Sequence, residues 1–160
     1  MLFKTHISFA LLVSLFIYPY FDFFPIFSIL IICISSTFPD LDHKDSKISK
    51  NNPLRFIMKV ILKHRGFLHS LFTPLFLYLI ISLINAGLAL LICIGYVSHL
   101  LMDSFTKMGI RPLYPLFNFK IKGNIRTNSI VEKSLFLFIM ALIIVKLFFL
   151  HWTYVREIFK

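Results

Sequence analysis

Cysteine and charged residues are both scarce in this sequence. Its 160 residues include two cysteines, and charged residues make up 15% of the chain. Cys33 and Cys93 both lie inside apolar stretches and form no Cys-x-x-Cys arrangement, which favours buried packing thiols over a disulfide or a cysteine-based metal site. Because 58% of the residues are hydrophobic, the composition also excludes an ordinary water-soluble domain.

Five apolar segments suggest helices in a membrane. Residues 67–85, 87–102 and 134–151 form stretches of about 16 to 19 residues, which flanking residues extend to the roughly 20 that cross a bilayer. Residues 7–20 and 25–38 are shorter, and they form either a tight transmembrane hairpin or a re-entrant pair. No small-residue cleavage site follows the first segment, so no removable signal peptide is expected. The sequence predicts a single all-α domain, a polytopic membrane helical bundle with four to five membrane segments.

Positive charge is concentrated in two of the connections. Most of the 17 Lys and Arg residues fall near the N-terminus or within residues 39–66 and 103–133. The positive-inside rule predicts that these two loops and the N-terminus are cytoplasmic in a multi-pass protein of the cell membrane. Topology and attraction to anionic membrane lipids together explain the net charge of +10, so no nucleic-acid partner is expected.

This topology gathers histidines and carboxylates from every segment at one membrane face. Five of the six histidines and five of the seven acidic residues fall there. Taken singly, each has an ordinary explanation as a helix residue, a cap or an ion-pair partner. Together they indicate function, because ionisable groups at a membrane edge are expensive to bury. The candidate metal ligands are His6, Asp40, His43, His64, His69, His99 and Asp103.

The spacing and chemistry of these residues suit a divalent metal. His99 and Asp103 are four residues apart, so both side chains lie on one face of a helix and reach a single ion. A mixture of imidazole nitrogens and carboxylate oxygens favours zinc, with manganese or iron as alternatives, over calcium or magnesium. The size of the ligand set allows one to three ions.

Four short motifs carry most of these residues. They are Thr5-His6, Phe38-Pro39-Asp40-Leu41-Asp42-His43, His64-Arg65-Gly66-Phe67-Leu68-His69-Ser70 and Ser98-His99-Leu100-Leu101-Met102-Asp103-Ser104-Phe105-Thr106. With these motifs the sequence resembles the YdjM-type family of inner-membrane-associated metal-dependent hydrolases, over most of the chain to about Glu132. Leu68 departs from the family pattern, in which Thr is frequent. His99 and Asp103 are also similar to the His-x-x-x-Asp helix of the zinc-dependent phospholipase C and P1-nuclease group.

The leading hypothesis is hydrolysis of a phosphoester, such as a phospholipid, at the cytoplasmic membrane face by water activated at the metal. Asp42 or Glu132 would act as a general base or further ligand, and Arg65 would hold the phosphate with its planar guanidinium. Residues 104–133 are expected to cover the site.

Two alternatives to the hydrolase stay open. A transporter would place its polar site near the bilayer midplane, whereas the middle of each predicted span is apolar here. The other alternative is a non-catalytic membrane protein, in which a structural metal site supports docking of a cytoplasmic protein partner.

Overall fold

A computed structural model describes residues 1–42 and 67–158. The regular structure in these ranges is entirely helical, as predicted. The five α-helices are α1 (Phe3–Ile17), α2 (Pro25–Ser35), α3 (Phe72–Ser82), α4 (Ala86–Ser104) and α5 (Ile130–Ile158). Short 3-10 helices follow α1 and α2, at Tyr18–Tyr20 and Phe38–Asp42.

Local sequence signals determine where three of the helices begin. Pro25 occupies the first position of α2, where its missing N–H is not needed. The side-chain oxygen of Asn85 caps α4 by accepting a hydrogen bond of 2.8 Å from the N–H of Leu88. Ser129 stands in the equivalent position before α5, and its hydroxyl accepts from the N–H of Glu132 at 3.3 Å.

Within the described residues, two helices are long and apolar enough to cross a membrane. They are Ala86–Ser104 and the part Ile130–Trp152 of α5, whereas Pro25–Asp40 and Phe72–Ser82 are apolar but shorter. Most of the apolar side chains of α5 face outward, as shown by Phe148, which is 64% exposed. A helix with so much exposed apolar surface needs lipid or a partner around it.

The centre of the bundle is α4, which contacts α1, α2 and α3, while α5 packs on α1. Leu12 of α1, Met102 of α4 and Ile139 of α5 belong to one buried cluster that joins these three helices. The beginnings of α1, α3 and α5 meet the ends of α2 and α4 at one end of the bundle. The helices α1 and α2 therefore run antiparallel, as do α3 and α4, whereas α2 runs parallel to α4 and α1 runs parallel to α5. We refer to this end of the bundle, which carries His6 and His99, as the histidine end.

Gly95 allows α2 and α4 to cross at short distance. A Cβ atom at this position would overlap the hydroxyl of Ser35 and the backbone carbonyl of Ile32. Small residues permit this approach of backbones in membrane proteins, where close packing holds helices together. The crossing brings the end of α2 against His99.

Residues 105–129 fold back on themselves at the histidine end. Ile110 and Ile121 exchange two backbone hydrogen bonds of 2.9 Å, and the N–H of Lys107 donates to the carbonyl of Ile125 at 3.0 Å. These are isolated bridges rather than strands. The segment is also tied to the start of α3, because the N–H of Leu71 donates to the carbonyl of Pro112 at 2.9 Å.

Candidate metal centre

Two side chains on the last turns of α4 form the middle of the site. His99 and Asp103 project from the same face of the helix, and His99 Nε2 lies 3.6 Å from Asp103 Oδ2. His99 is 1% exposed and Asp103 is 15% exposed. Both groups therefore face the bundle interior, although they lie on a helix of membrane-spanning length.

The end of α2 fixes the orientation of the His99 ring. Nδ1 of His99 lies 2.8 Å from the backbone carbonyl oxygen of Ser36. A carbonyl can only accept, so Nδ1 carries the proton and a neutral ring presents its lone pair at Nε2. That nitrogen is buried without a hydrogen-bond partner.

His6 enters the site from α1 and lies flat against His99. The two ring centroids are 3.9 Å apart and the planes differ by 9°. His6 Nε2 is 3.3 Å from Asp103 Oδ1, but in an orientation that makes no hydrogen bond, so both ring nitrogens of this buried residue lack a partner. The same carboxylate oxygen accepts from the α-amine of Met1 at 2.9 Å.

Asp40 and His69 approach from the end of α2 and from the segment before α3. Oδ1 of Asp40 lies 3.8 Å from His99 Nε2. Nε2 of His69 lies 3.7 Å from Asp103 Oδ2, and its ring is 5.7 Å from that of His99 at an angle of 70°. The described part of the chain thus brings together ligand candidates from α1, α4, the 3-10 helix after α2 and the turn before α3.

Two overlapping groups of three could hold a metal ion: His6, Asp40 and His99, and His69, His99 and Asp103. Within each group the ligand atoms all lie within 4.8 Å of one another. The groups share His99, whose Nδ1 is already taken by a carbonyl. Within the described residues, both groups therefore meet at the same atom, Nε2 of His99, and we treat them as one candidate centre.

The residues present fit a metal ion by distance and by chemistry. Ligand atoms around a four-coordinate zinc are about 3.4 Å apart, given metal–ligand bonds of about 2.1 Å, and the contacts around His99 Nε2 are 3.6 and 3.8 Å. In its neutral form this nitrogen turns a lone pair toward carboxylate oxygens of Asp40 and Asp103. Three electron-rich atoms repel one another at this distance unless a proton or a cation lies between them.

The phenol of Tyr96 holds the segment that carries His69. Its hydroxyl donates a hydrogen bond of 2.7 Å to the backbone carbonyl of Leu68, and the hydroxyl of Thr73 donates to the carbonyl of Phe67 at 2.7 Å. Leu68 thus contributes to the site through its backbone, which any residue type could supply. Its departure from the family pattern leaves this contact intact.

Glu132 is fully buried, but its carboxylate is bonded to backbone amides and a hydroxyl. Oε1 accepts from the N–H of Leu2 at 2.5 Å and from the hydroxyl of Thr5 at 3.4 Å, and Oε2 accepts from the N–H of Asn128 at 2.5 Å. These contacts join the start of α1, the end of the 105–129 segment and the first turn of α5. Contacts of this kind hold neighbouring segments in place, so Glu132 positions the start of α1. The catalytic role predicted from the sequence stays a prediction.

Some predicted site residues lie outside the described part of the chain. These are His43, His64 and Arg65. For Asp42 the structure describes only its place at the end of the 3-10 helix that also contains Asp40. Their predicted roles as ligands, base and phosphate clamp stay predictions.

Sequence reasoning missed the residues that orient the site. The carbonyl of Ser36 leaves no mark in the sequence, because every residue carries one. Tyr96 had a usable signal, since it lies three residues before His99 and so on the same side of α4.

Comparisons with known proteins relate the chain to one family. A family model described as YdjM inner membrane protein matches residues 1–158. A curated relative, "Uncharacterized protein YvsG" of Bacillus subtilis (strain 168), is 33% identical over 119 residues, which cover 70% of this chain and 72% of the relative. No solved structure matches the chain.

Proposed function

The chain belongs to the YdjM inner membrane protein family, and from that premise we propose that it is a metal-dependent hydrolase embedded in the membrane. Its substrate is a phosphoester, such as a phospholipid, at the cytoplasmic face. In this proposal all five described α-helices lie in the membrane and the N-terminus is cytoplasmic. Two of those helices have the length and composition of membrane spans.

The observation that carries the proposal is the surroundings of His99 Nε2. This buried nitrogen has no hydrogen-bond partner, while carboxylate oxygens of Asp103 and Asp40 lie 3.6 and 3.8 Å away. An arrangement of acceptors facing acceptors is unfavourable by itself and favourable around a cation. Zinc is the ion that this donor set suits best, with manganese as the alternative.

When bound, such an ion supplies a Lewis acid that polarises a phosphoryl oxygen and makes a water molecule more acidic. His6, His69, His99, Asp40 and Asp103 would hold it, with His43 and His64 as further ligands. The carbonyl of Ser36 keeps the free nitrogen of His99 directed into the site, as partners of metal-binding histidines usually do.

Two further residues complete the proposed mechanism. Asp42 follows Asp40 in the same 3-10 helix and is the proposed general base. Arg65, four residues before His69, is the proposed clamp for the phosphate, because guanidinium and phosphate form paired hydrogen bonds. Glu132 would act indirectly, by fixing the start of α1 and therefore His6.

The charge at the histidine end supports a cytoplasmic site near anionic lipid. The segment that folds back there carries exposed Lys107, Arg111, Lys120 and Lys122. Basic residues of this kind are retained on the cytoplasmic side and attract anionic headgroups of the inner leaflet. At that end of the bundle, a lipid phosphate would reach the site while it stays in the headgroup region, outside the hydrocarbon.

Metal analysis tests the proposal. The protein is purified in detergent without chelators, and bound metals are measured for the wild type and for a His99→Ala/Asp103→Ala variant. We expect stoichiometric zinc or manganese in the wild type and its loss in the variant. Hydrolysis of phosphatidylglycerol and of bis(p-nitrophenyl) phosphate, with and without added metal, then tests the reaction.

An Asp22→Ala/His151→Ala variant is the matched control. It removes one carboxylate and one imidazole, both exposed and remote from the histidine end, and should keep its metal. A folded wild type that takes up no metal on titration would refute the hydrolase. Stable metal without hydrolysis of any phosphoester would favour the non-catalytic, partner-docking alternative.

A further inference from the structure

An apolar groove lies beside the metal centre, between α3 and the turn at residues 112–117. Phe72, Leu75 and Leu79 of α3 line one side, Pro115 and Leu116 line the other, and Phe67 also contributes. Its volume is about 410 Å³, within the range of small-molecule sites. The wall formed by the turn is fixed by hydrogen bonds of 2.9 Å, from Leu71 to Pro112 and from Phe117 to Leu113.

The groove extends along α3 from Phe67, which belongs to the turn that carries His69. Phe67 is two residues before His69, so their Cα atoms are at most about 7 Å apart. Leu79 lies seven residues beyond Phe72 in the chain, which corresponds to about 10 Å along α3. An occupant would therefore have one end near His69 and the other about two helical turns further along α3.

The lining determines what kind of molecule fits. Among the described residues, none that lines the groove has a polar side chain. A sugar, a nucleotide or a charged headgroup would therefore lose its hydrogen bonds to water there without replacement. An aliphatic chain loses nothing of that kind and is attracted to the apolar walls. In the membrane arrangement proposed above, acyl chains are also the molecules that surround α3.

Basic residues in the segment that forms one wall of the groove favour some lipids over others. The segment that supplies Pro115 and Leu116 also carries exposed Lys107, Arg111 and Lys120. These side chains complement an anionic headgroup and repel a cationic one. The apolar groove and this basic segment together suit an anionic phospholipid, with its chain in the groove and its phosphate toward the metal ligands.

We infer that the groove between α3 and the 112–117 turn binds one acyl chain of the anionic phospholipid on which the protein acts. The fate of the headgroup rests on the proposed function, whereas binding of the chain can be measured separately. The inference gives the groove a role in specificity. Long-chain lipids gain affinity from the chain in the groove, whereas soluble phosphoesters with the same headgroup make no contact with the groove.

Filling the groove from each wall tests this inference. Leu79→Trp and Leu116→Trp place a large ring in the groove, and Ile80→Trp and Met108→Trp place the same ring on exposed neighbouring positions outside it. Binding of dioleoylphosphatidylglycerol to delipidated protein in detergent is measured by native mass spectrometry. Thermal unfolding of all four variants identifies any that fail to fold.

We expect the two groove variants to bind the long-chain lipid about tenfold more weakly than the controls, the loss that accompanies removal of about two methylene groups from an apolar contact. Binding of dihexanoylphosphatidylglycerol should change little. Equal long-chain binding in all variants, or none in the wild type, would overturn the inference. Equal binding would indicate another occupant, such as residues 43–66 or a second copy of the chain.

Hydrolysis of the dihexanoyl lipid separates this inference from the proposed function. If the wild type hydrolyses it and the groove variants bind long-chain lipid normally, the function stands and the groove assignment fails. If the groove variants lose long-chain binding while the wild type hydrolyses no phosphoester, the groove is a lipid site and the proposed function fails.

Discussion

Replacing Gly95 by alanine should perturb the candidate metal centre without touching any of its candidate ligands. The added methyl group would overlap the Ser35 hydroxyl and the Ile32 carbonyl, so α2 must move away from α4. Two contacts of the site cross this boundary. His99 Nδ1 lies 2.8 Å from the carbonyl of Ser36, and His99 Nε2 lies 3.8 Å from Asp40 Oδ1.

The size of the effect follows from these distances. A separation of about 1 Å restores ordinary van der Waals contact around the new methyl group, and it breaks the hydrogen bond that orients His99. Loss of such an orienting partner lowers metal affinity by about 10- to 100-fold. Stability should change less, because the overpacking cost of about 1–3 kcal/mol is partly offset by the higher helix propensity of alanine, about 1 kcal/mol.

The assay is a competition titration of zinc against a chromophoric chelator, combined with thermal unfolding. Gly87→Ala is the matched control, since it lies on the same helix and gains the same propensity. A Cβ there would meet the edge of the Phe23 ring at 2.9 Å and the side-chain oxygen of Asn85 at 3.3 Å, and both are side-chain groups rather than backbone. We expect lower metal affinity in Gly95→Ala alone.

Two outcomes would refute this reasoning. If Gly95→Ala binds zinc as tightly as Gly87→Ala, the crossing of α2 and α4 does not orient His99. If both variants lose affinity equally, the effect belongs to helix α4 in general and not to the contact with α2.

Two further predictions concern residues that position the site. Tyr96→Phe removes the hydrogen bond of 2.7 Å that holds the segment preceding His69; it should lower the free energy of unfolding by about 1 kcal/mol and weaken zinc binding several-fold in the same titration. Tyr20→Phe, at a residue that is 85% exposed, should change neither, and equal effects would argue against the role of Tyr96. Glu132→Gln leaves a backbone N–H without its acceptor and should destabilise the protein by about 1–3 kcal/mol in denaturant unfolding. Exposed Asp22→Asn serves as its control, and an unchanged midpoint in Glu132→Gln would contradict the positioning role.

Much of the helical architecture could be predicted from the sequence. Apolar runs bounded by Pro25 and Asn85 mark helices because a proline suits the first helical position and an asparagine caps the next helix. The predicted segment 67–85 begins earlier than α3, which starts at Phe72. Hydropathy cannot locate that boundary, since Phe67 and Leu68 are apolar yet belong to the turn that carries His69. The number of membrane crossings stays a prediction, because only α4 and α5 have the length of full spans within the described residues.

The candidate site was predictable in composition but not in the roles of its members. His99 and Asp103 share a helix face by spacing alone, so their proximity needs no tertiary information. The prediction that Glu132 belongs with them rested on its place at the start of α5. Its carboxylate binds the amides of Leu2 and Asn128, a set of contacts that depends on how α1 meets α5.

The sequence by itself determined the helical class, the family and the concentration of histidines and carboxylates at one end of the helices. Each of these follows from local rules: apolar periodicity, short motifs, and the cost of burying ionisable groups in hydrocarbon. Only the tertiary structure decided that His6 stacks on His99, that Ser36 turns Nε2 toward two carboxylates, and that a groove opens beside Phe67. These features depend on the distances between helices distant in sequence, and those distances are set by packing at points such as Gly95.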